Sequence, residues 1–196
     1  MVIEAAFVRS AVAAGDLPRD GLPEIALVGR SNVGKSSLIN ALVRQRIART
    51  SAAPGKTRLA NVYRVVRGGA RGGGNPFYLV DLPGFGYARG GQASAAEFER
   101  LTREYFGERD VAALLLVDAR HPGLDGDRKA WQWLESTVTY VAIVVTKIDK
   151  LTRGERIRVL RQHESVFDRP VTPVSAVTGE GMDDLWTVIA QQLKPA

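Results

Sequence analysis

The sequence predicts an α/β fold, a three-layer sandwich with helices on both faces of a six-stranded, mostly parallel sheet. Three observations carry this expectation. Short β-branched runs alternate with stretches of helical period along the chain. Turn residues cluster after the strands' C-terminal ends, where open α/β sheets hold their ligands. The length, 196 residues, suits one domain with a full core.

Residues 1–23 are expected to form an arm or extra strand packed on a domain that spans 24–196. Arg9 breaks their apolar run, Gly15-Asp16-Leu17-Pro18 and Gly21-Leu22-Pro23 mark their end, and they lack the basic start and long apolar core of a secretory leader. Strands are expected near 24–29, 59–66, 77–81, 111–117, 140–145 and 171–174, and about five helices near 35–45, 94–106, 127–136, 153–166 and 182–193. The second and third of these strands follow each other without a helix, so they should pair as an antiparallel hairpin at one edge. Their connection, Arg67 to Pro76, is the one low-complexity segment; it reads as a mobile link, with its Arg-Gly-Gly repeats as a minority RNA-binding reading. Thr152 and Glu155 form a capping box for the fourth helix. Met182, Leu185, Trp186, Ile189 and Leu193 give the last helix a core-facing stripe. Trp131 and Trp133, two apart on a helix, should divide between core and periphery, and Arg120 should pair with Asp118. His121 and His163 show no spacing that suggests a metal or catalysis.

Residues 29–37, Gly29-Arg30-Ser31-Asn32-Val33-Gly34-Lys35-Ser36-Ser37, complete a GxxxxGK[ST] phosphate loop between the first of these strands and a helix. Its glycines let successive backbone N–H groups converge on phosphate oxygens, and the helix N-terminus adds positive potential. Lys35 would reach the β- and γ-phosphates, and Ser36 would ligate Mg²⁺. The fold expectation narrows to a P-loop nucleoside triphosphatase.

Further along, a buried strand ends in Thr146-Lys147-Ile148-Asp149. Alone this reads as a strand end and a solvated turn. A hundred residues beyond a phosphate loop, it reads as a guanine site. The Asp149 carboxylate can accept two hydrogen bonds from guanine, whereas adenine would leave it unpaired. The Lys147 stem can lie along the base, and the loop at Ser175-Ala176 can offer an N–H to guanine O6. TKID argues against the alternative of an ATP-dependent small-molecule kinase. Between these segments, Asp81-Leu82-Pro83-Gly84 suits a Mg²⁺ ligand acting through water, with the Gly84 N–H sensing the γ-phosphate. Gly55-Lys56-Thr57-Arg58 offers Thr57 as a second hydroxyl ligand. Two loops that release with the γ-phosphate make a switch.

The set GRSNVGKSSLINAL, ARTSAAPGKTR, DLPGFGYA, TKIDKL and SA resembles the YihA/EngB family of bacterial GTP-binding proteins, from Glu24 to the C-terminus. The resemblance implies an EngB-type GTPase domain over 24–196, acting in large ribosomal subunit assembly and needed for normal cell division and septation. The alternative is a GTP-gated RNA- or ribosome-binding module with incidental hydrolysis. The water-orienting Gln expected after Asp-x-x-Gly is replaced by Phe85, which implies slow intrinsic turnover. In related GTPases an Asn at the position of Asn32 helps hold K⁺ beside the phosphates; the other reading of Asn32 is a loop stabiliser. Expected ions are therefore Mg²⁺, with K⁺ as a second candidate, and the expected catalytic set is Lys35, Thr57, Gly84 and Asn32.

Charge points to a polyanion. The net charge is +6, yet no Asp or Glu occurs from Ile25 to Val80, a span with ten Lys or Arg. Elsewhere 17 of the 27 basic residues stand against all 21 acidic ones, a net of −4. Interspersed signs are usual on inert surfaces, so Arg44, Arg46, Arg49, Arg64, Arg67 and Arg71 become candidates for RNA contact. There is no Cys, which excludes disulfides, and no bilayer-spanning apolar run. The expected partners are GTP or GDP and a large-subunit precursor with its rRNA, not DNA or membrane, for a monomer in the cytoplasm.

Overall fold

The sheet is built outward from strands that are apolar on both faces. The computed structural model of the chain describes residues 2–49, 60–68, 74–85, 102–107 and 109–193. At its centre, β2 (Glu24–Gly29) lies between β4 (Pro76–Asp81) and β5 (Ala112–Asp118), and the sheet continues through β6 (Tyr140–Thr146) to β7 (Val171–Pro173). All these neighbours run parallel. β2, β4 and β5 are buried almost from end to end, as strands covered by helices on both sides must be.

On the other flank β3 (Ala60–Arg67) pairs antiparallel with β4, and β1 (Ile3–Ala11) pairs antiparallel with β3. The sheet is thus one strand wider than the six expected, and the β3–β4 hairpin sits one place in from the edge. β1 pairs along the whole of β3, from Ile3↔Arg67 to Ala11↔Ala60, with one bulge between Phe7 and Arg9.

One face of the sheet is covered by α1 (Lys35–Val43) and α5 (Met182–Gln192). The other is covered by α2 (described residues 102–107), α3 (Asp125–Thr137) and α4 (Arg153–Phe167). Trp131 is buried and Trp133 is half-buried against Phe106, so the two tryptophans divide as their spacing requires. The α5 stripe is buried at Met182, Leu185, Trp186 and Ile189. α4 begins with the capping box: Thr152 Oγ1 accepts from the Glu155 N–H (3.4 Å), and Glu155 accepts from the Thr152 N–H (2.8 Å). α1 ends two residues sooner than expected because Arg44 takes a left-handed φ of 56°. The Asn40 side chain then accepts from the N–H groups of Ile47 and Ala48 (3.0 and 2.8 Å) and donates to the Ala48 carbonyl (2.8 Å). That folds the next loop back along the helix. No helix among the described residues is long and apolar enough to cross a membrane.

Candidate functional site

The parallel strands all deliver their C-terminal ends to one side, and each sequence-predicted loop within the described residues starts there. β2 runs into the phosphate loop, β4 ends in Asp81, β6 in Thr146, and β7 leads to Val174-Ser175-Ala176.

The loop is closed in a way only its residues allow. Gly34 caps α1 with a φ of 114°, a conformation that favours glycine. Lys35 lies almost buried beneath the turn, its Nζ donating to the carbonyls of Gly29 (3.1 Å) and Arg30 (3.4 Å). Burial pushes the Lys35 ammonium below its ordinary pKa, and the neighbouring Asp81 charge opposes this. Ser36 Oγ donates to Asp81 Oδ2 at 2.9 Å. Burial raises the Asp81 pKa against the pull of Lys35 and Ser36, and Oδ1 is buried without a hydrogen-bond partner among the described residues. A hydroxyl beside a buried carboxylate with an unused oxygen fits a hard divalent cation such as Mg²⁺. When bound, Mg²⁺ neutralises charge on the phosphates. Ser37 follows in the first turn of α1.

The Asp81-Leu82-Pro83-Gly84 loop is zipped to the phosphate loop. The Phe85 N–H donates to the Gly29 carbonyl (3.3 Å), and the Ser31 N–H donates to the Phe85 carbonyl (3.2 Å). Leu82 is buried, and its N–H donates to the Leu27 carbonyl (3.3 Å). At Gly84 an added Cβ would come within 2.6 Å of Ser31 N, so only glycine lets the loops approach this closely. Phe85 packs against the core below.

At the other end, Thr146 Oγ1 donates to the Val33 carbonyl (2.8 Å), and Val33 itself is buried. Lys147 takes a left-handed φ of 62° and stretches its Nζ to the carbonyl of Asn32 (2.6 Å), which also has a φ of 62°. The same Nζ reaches Asp118 Oδ2 (3.0 Å). Ile148 is buried, and its N–H donates to the Val174 carbonyl (3.4 Å). Asp149 Oδ1 accepts from Ser175 Oγ at 2.7 Å. Burial raises the Asp149 pKa, but this bond, local N–H donors and Lys150 outweigh it and hold the group ionised below the ordinary range. Ser175 Oγ accepts in turn from the N–H groups of Val177 and Thr178 (3.3 and 3.1 Å). Ala176 lies beside it, half-buried. A carboxylate held charged and aimed by a buried serine is suited to accepting paired donors from a planar base.

Two links were missed in the sequence. Arg30 donates its Nε to Asp127 of α3 (3.1 Å), which ties the phosphate loop to a helix 97 residues away. Asp118 pairs with Arg120 in two bonds, 2.9 and 2.7 Å, as expected, but it also anchors Lys147. Gly55, Lys56, Thr57, Arg58 and Arg71 lie outside the described residues. Arg44, Arg46, Arg49 and Arg64 are exposed. Arg67 is half-buried: its guanidinium stacks 4.7 Å over Trp186, and Nη1 donates to the Trp186 carbonyl (3.5 Å).

The family described as 50S ribosome-binding GTPase matches residues 24–147. The chain is 39% identical over 200 residues to the probable GTP-binding protein EngB of Oceanobacillus iheyensis, covering 98% of each chain. It is 44% identical over 174 residues to that of Chlorobaculum parvum, covering 86% of each. Among solved structures, Aquifex aeolicus Era bound to GDP and AlF4⁻ superposes with a TM-score of 0.76 at 22% identity over 89% of this chain. A second Era structure, with MgGDPNP and a segment of 16S ribosomal RNA, gives 0.74 at 24% over 89%. This chain spans 58% of the length of those Era chains. A probable GTP-binding protein EngB gives 0.56 at 23%, covering 87% of this chain and 98% of that one. At such identities these structures bear on the fold.

Proposed function

The chain belongs to the 50S ribosome-binding GTPase family and, within it, to the EngB-type GTP-binding proteins, and from this we propose that it is a GTP-dependent switch in large ribosomal subunit assembly, needed for normal cell division and septation. The chain is a GTPase of this family. The observation that carries the ribosomal reading is the one-signed charge from Ile25 to Val80, which surrounds the phosphate loop and includes the exposed Arg44, Arg46, Arg49 and Arg64. The fold neighbour Era, solved with ribosomal RNA, supports a partner of the same chemistry.

In this reading Lys35 exchanges its two carbonyl acceptors for β- and γ-phosphate oxygens, and Gly29 to Ser37 supply converging N–H groups. Ser36, Thr57 and, through water, Asp81 would hold Mg²⁺, which would neutralise charge on the phosphates. The Gly84 N–H senses the γ-phosphate, while Gly55, Lys56 and Arg58 flank Thr57 in the first switch. Thr146, Lys147, Ile148, Asp149, Ser175 and Ala176 hold guanine. Phe85 has no group to orient an attacking water, so intrinsic hydrolysis is slow. Asn32 would either hold K⁺ beside the phosphates or stabilise the loop; a rate equal in K⁺ and Na⁺, with and without ribosomal particles, removes the first role. The protein works as a cytoplasmic monomer.

Co-sedimentation with large-subunit precursors tests the proposal. The protein loaded with a non-hydrolysable GTP analogue is expected to bind more tightly than the GDP form, and both are expected to release steeply as salt rises. Equal binding in both states, or flat salt dependence, contradicts it. The second reading, a GTP-gated module with incidental hydrolysis, is favoured by Phe85. Single-turnover hydrolysis on the particles separates the two, because a module gains no rate there.

A further inference from the structure

The edge of the sheet beside the basic block carries an exposed aromatic ring. Ile3, Ala5 and Phe7 of β1 share the face of the sheet covered by α1, opposite Arg67, Val65 and Tyr63 of β3. Phe7 is 51% exposed, and its ring meets the buried Tyr63 edge-on, with centroids 5.8 Å apart. Tyr63 is 3% exposed and holds Phe7 from below. The loop after α1 runs along this same edge. Gln45 Nε2 donates to the Ile3 carbonyl (3.1 Å) at one end. At the other, burial and the Asp81 carboxylate push the Tyr63 hydroxyl up to about 12, and the Arg49 charge opposes them. Arg44, Arg46 and Arg49 on this segment are exposed and pair with no carboxylate among the described residues. Glu4, the one acid of β1, alternates to the opposite face.

A half-exposed aromatic ring on a strand bonded to a loop that carries three exposed arginines and no acid of its own matches the two requirements for holding unpaired nucleotides: a flat apolar platform for a base and cations for its flanking phosphates. A duplex offers no unstacked base to the ring. We propose that Phe7, with Arg46 and Arg49, forms a docking site for single-stranded RNA, in which one base stacks on Phe7 and the adjoining phosphates lie on the arginines. This rests on the ribosomal reading above and deepens it, by naming the unpaired strand as the RNA element bound and β1 as the surface that reads it. A protein strand added to the open edge of β1, or a second copy of this chain, would use main-chain hydrogen bonds and has no need of the arginines.

The test uses the full chain, a fluorescent mixed-sequence single-stranded 12-nucleotide RNA, and the same RNA annealed into a duplex. Phe7→Ala is expected to weaken single-strand binding by about tenfold without changing its salt slope. It should leave duplex binding unchanged, and Phe7→Trp should restore affinity. Arg46→Gln with Arg49→Gln should weaken both RNAs and flatten the salt slope. Unchanged GDP affinity and melting temperature show that each variant is folded. If Phe7→Ala binds single strands like the unmodified chain while the arginine variant loses affinity, the stacking site is overturned and the basic reading stands. If neither RNA binds measurably, both readings fall. A concentration-dependent dimer that Phe7→Ala abolishes, with RNA affinity unaltered, assigns the edge to a second copy and overturns the proposal.

Discussion

Lys147 shows how one side chain can tie the Thr146–Asp149 loop to the phosphate loop. Its Nζ bridges the Asn32 carbonyl and Asp118, and Asp118 is itself held by Arg120. Burial pushes the Asp118 carboxyl up, yet the Arg120 and Lys147 bonds outweigh it and hold the group well below the carboxylate range. The folded pKa lies below the unfolded value, so this stabilisation is present above the unfolded value of 3.8 and is lost as pH falls toward the folded one. Asp118→Asn is therefore expected to cost about 1–3 kcal/mol near pH 7 and to make the acid limb of the stability profile shallower. Urea unfolding between pH 3 and 7 measures both. At Gly84, Ala would force the Asp81–Gly84 loop off Ser31. Single-turnover hydrolysis should fall by about tenfold or more, the cost of a misplaced transition-state donor, while GDP affinity stays nearly constant. The motif residues 29–37 and 146–149 were legible because each set is contiguous. The Arg30–Asp127 and Lys147–Asp118 links were not, because partners 97 and 29 residues apart leave no local pattern.

The elements with strong periodicity were legible almost to the residue: β2, the start of α1, α4 with its capping box and α5 all fall where the pattern puts them. β1 was harder to assign, because an edge strand with most residues exposed has no apolar face long enough to mark it. α1's end was set by Arg44 in a left-handed cap, a backbone choice that residue type does not announce. His163 of α4 was legible only as an unremarkable helix residue; in the fold it is fully buried and stacked on Phe167 (centroids 6.2 Å apart). Burial pushes its pKa below the ordinary 6.5, against the nearby main chain of Ala119 and Asp118. The unfolded chain therefore takes up this proton first, and stability falls as pH drops below 6.5. His163→Leu should remove that part of the loss between pH 6.5 and 5, read by thermal melts. Gly181 caps α5 with a φ of 77°, and an added Cβ would collide with the Pro173 carbonyl. Gly181→Ala should cost about 2–4 kcal/mol in urea unfolding, from strain and steric clash together.

Across the whole molecule, the sheet brings the phosphate loop, Asp81, Lys147 and Asp149 to one side, while the excess positive charge of the sequence falls within residues 25–80. If the proposed switch at Gly55–Arg58 responds to the γ-phosphate, nucleotide state and polyanion affinity are expected to be coupled, since those residues fall within the basic span of the sequence. The account depends most on Asp149, a carboxylate held ionised and aimed by Ser175. Calorimetric titration of the intact chain with Mg–GTP and Mg–ATP, repeated on Asp149→Asn, tests this directly. GTP is expected to bind at least about a thousandfold more tightly than ATP, and Asp149→Asn to lose most of that preference. Comparable affinity for the two nucleotides, or a variant that still prefers GTP as strongly, would contradict it.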